Sequence, residues 1–135
     1  MWKMAKAAVF FMRCYYANAD RVCVENPVGF MGKLFRKHDQ IIHPYYFATS
    51  QDDENYVQKR TCLWLKGLKP LERISELPKP GPKYICQGEK CKGKAIGWCE
   101  GYTGGNRSRG RSKTFPGIAR AMAEQWGGHI EKETK

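Results

Sequence analysis

Acidic residues are scarce in this chain. Asp and Glu number 13 against 24 Lys and Arg, a net charge of +11 over 135 residues. So lopsided a balance on a small protein points to a polyanionic partner, most simply nucleic acid. Long apolar runs are also lacking. The longest covers residues 7–12, far short of the roughly 20 residues of a membrane helix. Arg13 interrupts it and no small-residue cleavage site follows, so it does not read as a secretion signal. No membrane partner is expected, and the chain reads as cytoplasmic. Internal repeats are missing. Six cysteines could close three disulfides, but the chain is longer and, at 41% hydrophobic residues, richer in core than a typical disulfide scaffold. Reduced thiols are expected, with Cys14 and Cys23 buried in apolar stretches. The length suits one domain, with room for only a very small second one.

The hydrophobic pattern predicts an α/β organisation. Residues 2–19 read as a helix whose apolar stripe is Trp2, Ala5, Val9, Met12 and Tyr16, at steps of three and four. Residues 21–25 follow as a short β-branched run, expected to be an interior strand covered on both faces. Pro27 stops that ladder, which places Glu25 and Asn26 at its carboxyl end, the edge where open α/β sheets bind ligands. Residues 29–38 form a basic loop or short helix with Lys33, Arg36 and Lys37. Residues 39–43 and 61–65 read as two further strands. Residues 70–82 hold four of the seven prolines and read as an extended connector without a core of its own. Residues 83–113 carry eight Lys or Arg against Glu89 and Glu100, with many glycines and three cysteines. Residues 116–126 read as a closing helix with Pro116 in its first turn.

Three groups of residues carry candidate chemistry. Glu25 at a strand end can accept from the amino group of a planar ligand or, when protonated, donate to a ring nitrogen. Asn26 then buttresses the loop. Cys86, Cys91 and Cys99 supply three local thiols, and zinc is a candidate ligand for them, since paired thiols a few residues apart suit a tetrahedral site. Cys62 or His129 could complete the set, though neither has zinc-knuckle spacing. Arg107, Arg109, Arg111 and Lys113, with Lys92 and Lys94 upstream, sit among Gly and Ser and can follow a phosphate backbone. Trp98 or Tyr102 could stack on an exposed base.

Four ordered segments resemble a known family: Val22-Cys23-Val24-Glu25-Asn26-Pro27-Val28-Gly29, residues 39–44, residues 61–68, and residues 111–126. Together they are similar to the C-terminal half of the DNA cytosine-5 methyltransferase-like proteins of phages and prophages, over most of residues 1–75 and 111–127. The resemblance implies a partial Rossmann-like sheet of the S-adenosylmethionine-dependent methyltransferases, with a basic, Cys-containing insertion. It implies residues 1–75 as the C-terminal half of the core, 76–113 as the insertion and DNA-recognition segment, and 114–135 as closing helix and tail. It assigns Glu25 to the flipped target cytosine, where it bonds the exocyclic amine and assists protonation of the ring nitrogen. It also implies S-adenosylmethionine as cofactor, DNA as partner, and a bacterial or phage-infected cell as setting. The family's nucleophilic cysteine directly follows a proline, and none of the six cysteines here does. The glycine-rich cofactor loop is not found either. The resemblance therefore implies a methyltransferase lacking its N-terminal half, whether a truncated, split or internal-start product or a fragment. A separate chain carrying that half is one source it allows, and no catalysis is expected of this chain alone. A rival expectation is a non-catalytic basic nucleic-acid-binding module, stabilised by zinc.

Overall fold

The computed structural model describes residues 2–27, 29–81, 84–85, 89, 95–96 and 114–128. In order these give α1 (Trp2–Tyr15), β1 (Val22–Pro27), α2 (Met31–Leu34), β2 (Gln40–Ile42), a 3-10 turn (Pro44–Phe47), β3 (Thr61–Lys66), β4 (Tyr84–Ile85), β5 (Ala95–Ile96) and α3 (Pro116–Trp126). The chain divides into two compact units. One comprises Met1–Ile42 with Arg60–Pro70, the other His43–Lys59 with Leu71–Lys135.

The first unit is built on a three-stranded sheet in the order β1-β3-β2. β3 runs antiparallel to both neighbours, so β1 and β2 run parallel to each other, and the connection between them passes through α2. The pairing itself is antiparallel throughout, and the described strands do not form an open parallel sheet. β3 occupies the centre because its run Thr-Cys-Leu-Trp-Leu is apolar on both faces and is buried on both. β1, expected inside, stands at the edge of this sheet. It also continues past Glu25 through Pro27, since an edge strand can hold a proline whose missing N–H faces away from the ladder.

α1 lies on β1. Ala8 and Phe11 join Met31, Cys62 and Trp64 in a buried cluster, against which Met12, Tyr15, Val24, Phe35 and Ile41 pack. The Phe11 ring meets Trp64 edge-on at 5.0 Å, and the Trp64 indole Nε1 donates to the Arg36 carbonyl at 2.9 Å. The face turned inward is thus Ala8, Phe11 and Tyr15, not the expected stripe, in which Ala5, Val9 and Tyr16 are exposed. The helix is apolar on more than one side, so periodicity alone did not choose the face. It also ends at Tyr15 rather than Ala19.

One node ties this unit together. The Arg36 guanidinium meets both Asp39 carboxylate oxygens at 2.9 Å and donates to the Tyr15 hydroxyl at 2.9 Å. Asp39 in turn accepts from the Leu65 backbone N–H at 2.6 Å. The bond from Arg36, with the Leu65 amide, holds the Asp39 carboxyl below its usual range. At the end of β3, Gly67 adopts φ +65°, and a Cβ there would fall 2.2 Å from the Asp20 carbonyl oxygen, so only glycine fits.

In the second unit the 3-10 turn buries Tyr45 and Phe47, and α3 packs on it through Gly117, Ile118 and Ala121. The side chain of Asn55, buried, accepts from the Gly117 N–H at 2.8 Å. Residues 71–81 are extended, as expected, but they are not a free connector. Leu71, Ser75 and Pro80 are buried. Ile74 and Ser75 N–H groups both donate to the Tyr46 carbonyl, at 3.1 and 2.9 Å. Tyr56 and Gln58 side chains donate to the Pro78 and Pro80 carbonyls.

Candidate functional site

β1 carries the site because a β-branched start, Val22-Cys23-Val24, extends the chain and Asn26-Pro27 brings it to its end. Thr61, the first residue of β3, pairs with Pro27 on one side and Ile42 on the other. The carboxyl ends of the two parallel strands therefore lie level with each other at one end of the sheet. Asn26 follows Val24 toward α1 by the strand's alternation and is half-buried. Glu25, one residue earlier, is exposed.

Both residues border a cleft of about 370 Å³, whose other walls include Met4, Phe10 and Cys14 of α1, and Phe30 and Met31 beside α2. Glu25 contributes to the edge of this mostly apolar hollow, while the same alternation turns its side chain to the sheet face away from α1, where it is exposed. Such a carboxylate keeps its acceptor sites for a ligand. The walls on α1 and Phe30 were not singled out in the sequence. The only signal for them was that residues 4–12 are apolar on several helical faces at once.

Cys23, two residues before Glu25, is the nearest strand thiol. Burial, and after it the charge of Glu25, pushes its pKa up to about 12. It is therefore a neutral thiol near pH 7 and a poor nucleophile. Cys62, weighed above as a fourth zinc ligand, is 1% exposed within the apolar cluster, and burial raises its thiol too. Cys14, Cys23 and Cys62 are free thiols, and no group of His, Cys, Asp and Glu among the described residues could hold a metal ion.

Cys86, Cys91 and Cys99, Lys92 and Lys94, and Arg107, Arg109, Arg111 and Lys113 lie outside the described residues, as do Trp98, Tyr102 and His129. Of the other basic group, Lys33 and Lys37 are exposed, whereas Arg36 is taken up by Asp39 and Tyr15. No helix among the described residues is long and apolar enough to cross a membrane. No protein-family model, curated protein or solved structure matches the chain.

Proposed function

We propose that this chain is the C-terminal portion of a DNA cytosine-5 methyltransferase, binding DNA and presenting Glu25 to a flipped cytosine. The observation that carries the reading is the adjacency of Glu25 and Asn26 at the rim of a cleft, near the carboxyl end of β1. The carboxyl ends of β1 and β2 lie level at one end of the sheet, on either side of the antiparallel β3, and this brings Glu25 and Asn26 close to a sheet end. An exposed carboxylate there is chemically matched to cytosine. It accepts from the exocyclic amine and, once protonated, donates to the ring nitrogen. Drawing electrons toward that nitrogen makes the neighbouring ring carbon open to attack by a thiolate.

The described residues do not themselves fit S-adenosylmethionine. The cleft is walled by Met, Ala, Phe and Val, with no cationic side chain and Asn26 as its one amide donor. A zwitterionic cofactor needs cationic or N–H side-chain partners for its carboxylate, and this lining offers Asn26 alone. On this reading the cofactor site and the attacking thiolate belong to the N-terminal half of such a methyltransferase. This chain contributes the base-binding carboxylate and the basic DNA surface.

The test is binding to duplexes with one unpaired cytosine or one unpaired thymine at the same position, measured by fluorescence anisotropy. A mismatched base is already partly released from the stack, so flipping costs little. Wild type should prefer the cytosine duplex by about tenfold, the span of a single good base contact. Glu25→Ala should erase that preference and leave binding to a fully paired duplex unchanged. Equal affinity of the wild type for both mismatches would overturn the reading in favour of a non-catalytic nucleic-acid-binding module.

A further inference from the structure

We propose that the outward face of α1 is a docking surface for another protein, and that the segment it receives is an apolar helix flanked by carboxylates. Of the stripe that periodicity marks as core-facing, Met12 packs inward but Ala5, Val9 and Tyr16 are left open. Val9 is 54%, Phe10 69% and Tyr16 64% exposed, while Ala8 and Phe11 on the opposite side are buried. A helix apolar on both sides is built to be covered on both, and exposed apolar surface of this extent marks an interaction site.

The exposed residues are also contiguous. Val9 and Arg13 wall two neighbouring hollows, one reaching to Tyr16 and Leu34, the other to Phe10. Phe10 in turn borders the cleft that holds Glu25. Both hollows are shallow and open, so they form one nearly continuous surface that mixes Val9 and Phe10 with Lys6 and Arg13.

Charge selects among occupants. α1 carries Lys3, Lys6 and Arg13 and no acidic residue. A second copy would set these cations against their own kind, on a chain already at +11, and like-charge juxtaposition is costly. An anionic lipid surface shares the required charge, but interfacial helices keep their cations on the face opposite the apolar one, whereas Lys6 and Arg13 share this face with Val9 and Phe10. A protein helix with an apolar face and Glu or Asp along its flanks meets both the apolar and the cationic groups. This stands without the assignment of Glu25. Within that assignment it marks where the N-terminal half seats.

The experiment titrates the full chain, at physiological salt, into labelled helical peptides of about 18 residues, five turns. Each has Leu along one face, and the flanks are Glu in one peptide and Lys in another. The Glu-flanked peptide should bind, the Lys-flanked peptide and a scrambled acidic peptide each at least about tenfold more weakly. Val9→Glu, at an exposed position, should abolish binding with an unchanged circular dichroism spectrum, and Arg13→Glu should shift preference toward the Lys-flanked peptide. Equal binding of all three peptides, or indifference to Val9→Glu, overturns the proposal. So does a dimer in sedimentation equilibrium that dissociates in Val9→Glu. Binding to vesicles of anionic phospholipid that Val9→Glu abolishes equally overturns it. The cytosine preference assigned to Glu25 should persist in Val9→Glu, so each reading fails on its own measurement.

Discussion

At the scale of single residues, two carboxylates do structural work that a count of charges would hide. Asp39 clamps Arg36 and the Leu65 amide in the first unit. Asp53 organises a loop in the second, accepting from the Thr49 N–H and hydroxyl at 2.8 and 3.0 Å and from the Asn55 N–H and side-chain amide at 2.9 and 2.6 Å. Those bonds, led by the Asn55 and Thr49 backbone amides, lower the Asp53 pKa to about 2. A folded-state value below the unfolded one, about 4, means stability that is present above pH 4 and lost as pH falls through about 2. Asp53→Ala should therefore cost about 1 kcal/mol at pH 7, a modest figure because solvent screens a partly exposed carboxylate. Hydrogen exchange at the Thr49 and Asn55 amides should quicken in the variant at pH 7. Wild type and variant should converge at about pH 2. A gap that persists undiminished there would show that the carboxylate charge is not what holds the loop.

At the scale of elements, some of the fold was legible and some was not, for identifiable reasons. The β-branched run at Val22 and the apolar run at Thr61 predict strands because their signal is local. Which one lies in the middle is not local. β3 takes that place by pairing with segments at residues 22–27 and 40–42, and nothing in the β1 sequence reports it. The inward face of α1 was misread for a related reason: both faces are apolar, and only packing on Trp64 and Met31 chooses between them. Glu25 and Asn26 were singled out because Pro27 follows them, although β1 runs on through that proline, whereas the α1 wall of the cleft comes from the fold. Pro116 marks the start of α3, but the neighbouring Gly117 has a tertiary reason. A Cβ there would sit 2.9 Å from the Asn55 Cγ and from the Phe47 carbonyl oxygen. Gly117→Ala must push both back and weaken the Asn55 bond that caps the first turn of the helix. The expected cost is about 1–3 kcal/mol in urea denaturation, despite alanine's better helix propensity. A change below about 0.5 kcal/mol, the range of an ordinary surface substitution, would mean that α3 shifts freely on the turn beneath it.

At the scale of the whole molecule, the question is which of the 24 basic residues remain for a polyanion. Several in the described residues are already engaged. Arg36 is paired with Asp39, Arg73 stacks over the Tyr45 and Tyr46 rings at 5.1 and 4.9 Å, and Lys66 caps the Ala17 carbonyl. The densest remaining supply is residues 83–113, with eight Lys or Arg set among glycines and serines. Side chains spaced this way reach phosphates more readily than they form a rigid surface for reading bases. DNA affinity should thus fall steeply with salt and depend little on sequence, with each phosphate contact adding about 0.9 to the log–log salt slope. Replacing Arg107, Arg109 and Arg111 with Ala removes up to three such contacts, so the slope should drop by about two to three units. Glu25→Ala should leave the slope as it is, because a single base contact releases no counterions. Salt titrations of a fluorescent duplex with the wild type and both variants decide it. An unchanged slope in the triple-arginine variant would move the DNA surface to Lys33 and Lys37, exposed beside α2. It would also place the phosphate backbone next to the cleft rather than on the basic insertion.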